Sequence, residues 1–174
     1  MKKFELTTEF ITNAFGKKLF RIKALVEFGD VKAGELGGYV EKEGNVSQAD
    51  NAWVYGDARV YGDAWVSGNA RVSGNARVYG DAWVSGNARV YGDARVSGDA
   101  DYALVQGFGT EFRCTTFYSG KNKKIMVNCG CFHGDLEGFR KQVKETRNGK
   151  IAKEYLMIAD LMEYHFTSED SSDE

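Results

Sequence analysis

The sequence predicts a mainly β protein whose centre is a short parallel β-helix, with an N-terminal β cap before it and a C-terminal ββαα unit after it. Three observations carry that prediction. Residues 51–98 are tandem hexapeptides, reading NAWVYG, DARVYG, DAWVSG, NARVSG, NARVYG, DAWVSG, NARVYG and DARVSG. Within each unit, Ala-x-Val-x alternates small apolar with larger side chains, which is the period of a strand. Between units, Gly followed by Asn or Asp marks a sharp corner, because all three tolerate positive φ.

A hexapeptide cannot fold alone, so the units must stack to share a core. That core receives only Ala and Val. A sandwich would demand larger inward residues, whereas a narrow tube with three short walls demands small ones. The pattern resembles the hexapeptide-repeat left-handed parallel β-helix, in which three hexapeptides make one triangular coil. The left hand is what the resemblance implies. Degenerate units, Asn45-Val46-Ser47 before and Asp99-Ala100-Asp101 after, extend the expected β-helix to residues 45–104.

Stacking at three hexapeptides per coil gives three unequal faces, with neighbours in a column about 4.8 Å apart. The first carries Trp53, Arg71 and Arg89 beside Tyr55, Ser73 and Tyr91. The second carries Arg59, Arg77 and Arg95 beside Tyr61, Tyr79 and Ser97. The third carries Trp65, Trp83 and Asp101 beside Ser67, Ser85 and Ala103. Guanidinium forks suit phosphate or carboxylate, and tyrosine rings suit a base or sugar. The expected ligand-binding residues are therefore Arg59, Arg77, Arg95, Tyr61 and Tyr79, with Arg71 and Arg89 on the first face. The competing reading is a solubilising face whose arginines pair with nearby Asp corners. Trp65 over Trp83 makes an apolar patch of the kind soluble monomers rarely leave bare, and Trp53 on the first face joins them as an interface candidate. These tryptophans are the expected interface, covered by the C-terminal segment or by another subunit. The corners Asp63, Asp81 and Asp99 form an acidic edge, more simply read as turn geometry than as a cation site.

Residues 1–44 read as the cap. Phe20, Ile22, Ala24, Val26 and Phe28 alternate with Leu19, Arg21, Lys23, Leu25 and Glu27, and Phe4, Leu6 and Phe10 suggest an earlier strand joined through residues 13–18. A cap protects the open end of the tube. In residues 105–166, strands are expected over 111–118 and 124–132. Asp135 N-caps a helix burying Leu136, Phe139 and Val143, and Asn148-Gly149 ends it. A second helix buries Ile151, Tyr155, Ile158, Met162 and Phe166. Residues 167–174 form an acidic tail with the composition of a disordered segment. Cys129-Gly-Cys131-Phe-His133 with Cys114 is the one weak metal constellation. Its Cys-x-Cys spacing is not that of a zinc knuckle, so no metal is expected.

The chain has 174 residues, a net charge of −2, 28% charged residues and three cysteines. No global basic field advertises nucleic acid, no segment has the length of a membrane span, and no cofactor is implied. An N-terminus without an apolar run and an odd number of cysteines favour a cytoplasmic compartment with reduced thiols.

Many hexapeptide β-helices are acyltransferases that use a histidine as general base. The repeats here contain no histidine. His133 and His165 lie in the C-terminal unit, and there is no P-loop or GxGxxG. The lead-in LFRIKAL…FGDVKAGELGGYVEKEGN (residues 19–45), the VYGDARVSGNA repeats and the segment NCGCFHGDLEGF…AKEYL are similar to small proteins of bacteriophages and prophages. The expectation is a non-catalytic phage-type binding protein. It would sequester an anionic, nucleotide-like ligand or occlude a host protein, counteracting host defence. As a homo-oligomer, a trimer is favoured, because relatives of the fold trimerise through their faces. The alternatives are an acyltransferase and a structural or assembly module.

Overall fold

The computed structural model describes residues 2–98, 101–110 and 113–167. The chain divides into two compact units, Met1–Asp99 and Ala100–Glu174.

In the first unit, each hexapeptide contributes a two-residue strand. These are β4 (Trp53–Val54), β5 (Arg59–Val60), β6 (Trp65–Val66), β7 (Arg71–Val72), β8 (Arg77–Val78), β9 (Trp83–Val84), β10 (Arg89–Val90) and β11 (Arg95–Val96), preceded by β1 (Phe4–Thr12), β2 (Lys18–Ala24) and β3 (Leu36–Val40). The repeats stack in parallel as three walls. Trp53, Arg71 and Arg89 share one register, as do Arg59, Arg77 and Arg95, and Trp65 with Trp83. Every Ala and Val of the repeats is buried. The N–H at the third position donates to the Ala carbonyl of the next coil, as from Arg59 to Ala76 at 2.9 Å and Trp65 to Ala82 at 2.9 Å. At the Gly62, Gly68, Gly74 and Gly80 corners the next coil crowds out a side chain. A Cβ on Gly68 (φ +68°) would sit 2.9 Å from the Gly86 nitrogen in the coil beyond.

The first coil begins earlier than residue 45. β3, in the stretch assigned to the cap, pairs parallel with β5 through Tyr39–Arg59 and Val40–Val60, so it is already a wall of the tube. Gly37 and Gly38 permit this. A Cβ on Gly37 would lie 2.6 Å from the Val54 carbonyl oxygen, and one on Gly38 2.6 Å from that of Ala58. Val46 then bridges Val66 in parallel, and the Ser47 N–H donates to the Val66 carbonyl, so residues 45–47 do act as a degenerate unit. The hairpin β1–β2 continues the second wall edgewise, giving the sheet order β1-β2-β3-β5-β8-β11.

The Ala carbonyls of the first regular coil have no regular coil above them, and three different donors replace it. Ala58 accepts from the Tyr39 N–H at 2.9 Å. Ala64 accepts from the buried Asn45 Nδ2 at 2.8 Å, and Ala52 from Lys3 Nζ at 2.8 Å. Burial pushes the Lys3 ammonium down to about 8, against the pull of the Asp50 carboxylate. This end of the tube is therefore closed by side-chain donors and by the hairpin.

The expected run of solenoid to residue 104 is corrected. Residues 99–100 lie outside the described residues, and Tyr102 onward leaves the repeat. It forms β12 (Tyr102–Phe108), antiparallel to β13 (Arg113–Ser119), so Ala103 faces Phe117 across a ladder rather than continuing a column. β14 (Ile125–Cys129) and β15 (Phe132–Asp135) complete a four-stranded antiparallel sheet where two strands were expected. Two helices follow, α1 (Leu136–Thr146) and α2 (Gly149–Thr167). Asp135 caps α1, accepting from the Gly138 N–H at 2.7 Å. Leu136, Phe139 and Val143 meet Tyr155, Ile158 and Met162 over Phe117 and Val127 in one core. Phe112 and the tail residues 168–174 lie outside the described residues.

Candidate functional site

The second wall presents Arg59, Arg77 and Arg95 in register. Among the described residues, none of the three guanidiniums makes a hydrogen bond or an ion pair. The Asp corners do not neutralise them, and Asp63 is bonded to Lys42 at 2.9 Å instead. Beside them Tyr61 and Tyr79 stack with ring centroids 5.2 Å apart and planes 8° from parallel. Tyr61 is buried with Leu19 and Tyr39. Burial and the neighbouring Tyr79 push its phenol upward, while Arg77, Arg59 and Arg95 pull it back. The tyrosine faces expected to receive a ligand ring are thus largely spent on each other.

The turn between β1 and β2 bends over this wall. Asn13, Ala14 and Phe15 close a recess of about 120 Å³ against Arg59, Tyr61 and Arg77. The Asn13 side chain is oriented by the turn itself, its Oδ1 accepting from the Phe15 N–H at 2.9 Å and the Lys17 N–H at 3.0 Å. Its Nδ2 is buried and has no partner. Glu41 is engaged elsewhere, accepting from Lys17 Nζ at 2.8 Å and from the Gly62 N–H at 2.7 Å. Phe15, 79% exposed, is a bare ring at the rim. Two guanidiniums, a leftover amide donor and an aromatic edge make a concave, electropositive pocket suited to an oxyanion. Sequence reasoning missed Asn13 and Phe15. The signal was the Asn-Ala-Phe-Gly turn, which carries an aromatic where a solvated loop has no use for one.

The first wall differs. Arg71 forks onto Asp30, with Nη1 and Nη2 each 2.7 Å from a carboxylate oxygen, and Tyr55 donates to the same carboxylate at 3.1 Å. Burial would raise the Asp30 carboxyl, but the Tyr55 and Arg71 hydrogen bonds and the Arg71 charge hold it low. Burial pushes the Tyr55 phenol up to about 12. Arg71 is therefore occupied, which removes it from the expected ligand set. Arg89 stands one coil along, in register with Arg71.

Trp53 is corrected as well. It is fully buried, edge-on to Phe4 (5.8 Å) and Phe28 (5.3 Å), and offers no surface. Trp65 and Trp83 are 40% and 51% exposed, their rings 5.1 Å apart on the third wall. The Asn corners form an amide ladder, Asn51 donating to Asn69 at 2.9 Å and Asn69 to Asn87 at 3.1 Å.

The cysteine and histidine residues do not assemble into a metal site. Among the described residues, no three His, Cys, Asp or Glu side chains form a group that could hold a metal ion. His133 Nε2 meets the Tyr118 hydroxyl at 3.0 Å, and Cys129 Sγ accepts from Thr115 Oγ1 at 3.0 Å. Cys114, Cys129 and Cys131 are not joined in disulfides. No described helix is long and apolar enough to cross a membrane.

Stacked parallel coils with an all-Ala/Val interior define a β-solenoid repeat protein. Residues 52–68, 70–86 and 88–100 are each similar to the YdcK beta solenoid repeat, in successive coils. No curated protein matches the chain.

Proposed function

We propose that this β-solenoid protein is a binding protein for an anionic, nucleotide-like ligand, held on the Arg59, Arg77 and Arg95 wall. The observation that carries the reading is the recess under the β1–β2 turn, where Arg59 and Arg77 have no ion-pair partner among the described residues and stand beside the unpartnered Asn13 amide. A phosphate or carboxylate placed there accepts from all three. A ring attached to it reaches Phe15, in place of the mutually stacked tyrosines. In the phage setting implied by the lead-in and the repeats, such a site serves to sequester a host nucleotide or to occlude a host protein.

A thermal-shift screen of nucleotides and inorganic phosphates tests this, repeated with Arg77→Glu. The reading expects stabilisation of the natural protein by at least one phosphate compound and none in the variant. No shift with any anion abandons the small-molecule form of the proposal.

The exposed Trp65–Trp83 pair favours self-association through the third wall, with a trimer as the expected order. Native mass spectrometry of the natural protein and of Trp83→Ser separates this from a monomeric solenoid. A single subunit mass for both discards it.

A further inference from the structure

The C-terminal unit contains a second cavity, of about 250 Å³, that the anion-binding wall does not involve. Its chemistry is specific. Phe132 and Phe139 supply an apolar surface, Tyr155 a phenol, Cys131 an exposed thiol, and Arg113 and Arg147 two guanidiniums. Among the described residues neither arginine has a carboxylate within ion-pair distance.

The sequence builds this arrangement deliberately. Arg113 begins β13 and lies over Gly130 in the β14–β15 turn (φ +60°), where any Cβ would strike its guanidinium. Arg147 follows the last turn of α1, its N–H donating to the Val143 carbonyl at 2.9 Å and its Nη1 to the Thr146 carbonyl at 3.2 Å. A cation is favoured at that helix end, which accounts for Arg147 being there but leaves most of its donors unused. The Tyr155 hydroxyl donates to the Phe108 carbonyl at 3.3 Å. Burial and the neighbouring Cys129 raise the Tyr155 phenol, while Arg147 and Arg113 pull it back. Two cations against an aromatic floor, with no carboxylate of a described residue at ion-pair distance, suit an anion with an apolar body.

We propose that this cavity is a binding site for a compact organic carboxylate, its anionic end on Arg113 and Arg147 and its apolar body on Phe132 and Phe139. Cys131, in the cavity wall, reports occupancy.

The test uses the full chain. Iodoacetamide labelling is followed residue by residue by peptide mass spectrometry, with phenylacetate as the probe and the neutral isostere phenylacetamide as the control. Saturating phenylacetate is expected to slow Cys131 labelling about tenfold, with Cys114 unchanged and phenylacetamide without effect. Arg113→Gln with Arg147→Gln removes the protection. Arg113→Lys with Arg147→Lys keeps part of it, and Cys114 labelling reports whether either variant still folds. No protection by phenylacetate at millimolar concentration overturns the proposal, and so does equal protection by the amide.

Discussion

Arg77 lies one coil from Arg59 in direct register, and among the described residues neither guanidinium has a carboxylate within ion-pair distance. Parallel strands set such neighbours about 4.8 Å apart. Like charges at that spacing repel by about 1 kcal/mol in water. The repeat thus maintains a small instability along the wall whose recess also holds an orphan amide donor. A site that binds an anion has a use for both.

Replacing Arg77 by Gln should therefore stabilise the ligand-free protein, by up to about 1 kcal/mol at low ionic strength, with the gain shrinking as salt screens the column. Urea unfolding at two salt concentrations measures this. A destabilised variant would mean that Arg77 contributes packing that outweighs its charge.

Asn45→Ala removes the donor that substitutes for a missing coil above Ala64 and Gly62. Leaving those carbonyls unsatisfied should cost about 1–3 kcal/mol. Hydrogen exchange should show the loss first at the Ser47 and Val46 amides, because the degenerate unit rests on that corner. Uniform loss across the solenoid would place the defect elsewhere.

Lys3 makes stability depend on alkaline pH. Its ammonium is held down to about 8 by burial, against a usual value of 10.5. Between those values the unfolded chain binds more protons than the folded one, so this residue's contribution rises with pH through about 8 to 10.5 and is flat below. Relative to Lys3→Met, the natural protein should gain about 3 kcal/mol across that window. A pH-independent difference between the two proteins would refute the assignment.

Trp53 and Trp83 occupy equivalent repeat positions but should behave oppositely. Trp53→Ala empties a buried site against Phe4 and Phe28 and should cost about 3–5 kcal/mol. Trp83→Ser should leave the melting temperature nearly unchanged and lower the apparent mass in size-exclusion chromatography. Equal destabilisation by the two would contradict the burial difference.

The repeat made the solenoid legible, because identical residues at identical phase can only stack. Column membership followed directly, down to Arg59 with Arg77 and Trp65 with Trp83. What the repeat could not convey lay in segments without its period. Leu36-Gly-Gly-Tyr-Val lacks Ala-x-Val, so its role as a wall depends on Gly37 and Gly38 approaching backbone that only the folded coil provides. Arg71 looked equivalent to Arg89 until Asp30, distant in sequence, claimed its fork. Trp53 looked like an outer residue until the cap covered it. The recess on the arginine wall depends on where one hairpin turn lands, which no local pattern encodes. In the C-terminal unit both helices and the Asp135 cap were readable from periodicity. β12 was hidden because its residues follow the last repeat without a break in alternation.

The central claim is that the Arg59/Arg77 recess binds an oxyanion. Isothermal titration of a nucleoside diphosphate into the natural protein and into Arg77→Gln, each at two salt concentrations, tests it most directly. The account predicts binding that weakens with salt in the natural protein and falls about tenfold or more in the variant, while the variant is the more stable of the two without ligand. Equal affinities, or no binding by nucleoside diphosphate or by inorganic pyrophosphate in its place, would contradict it.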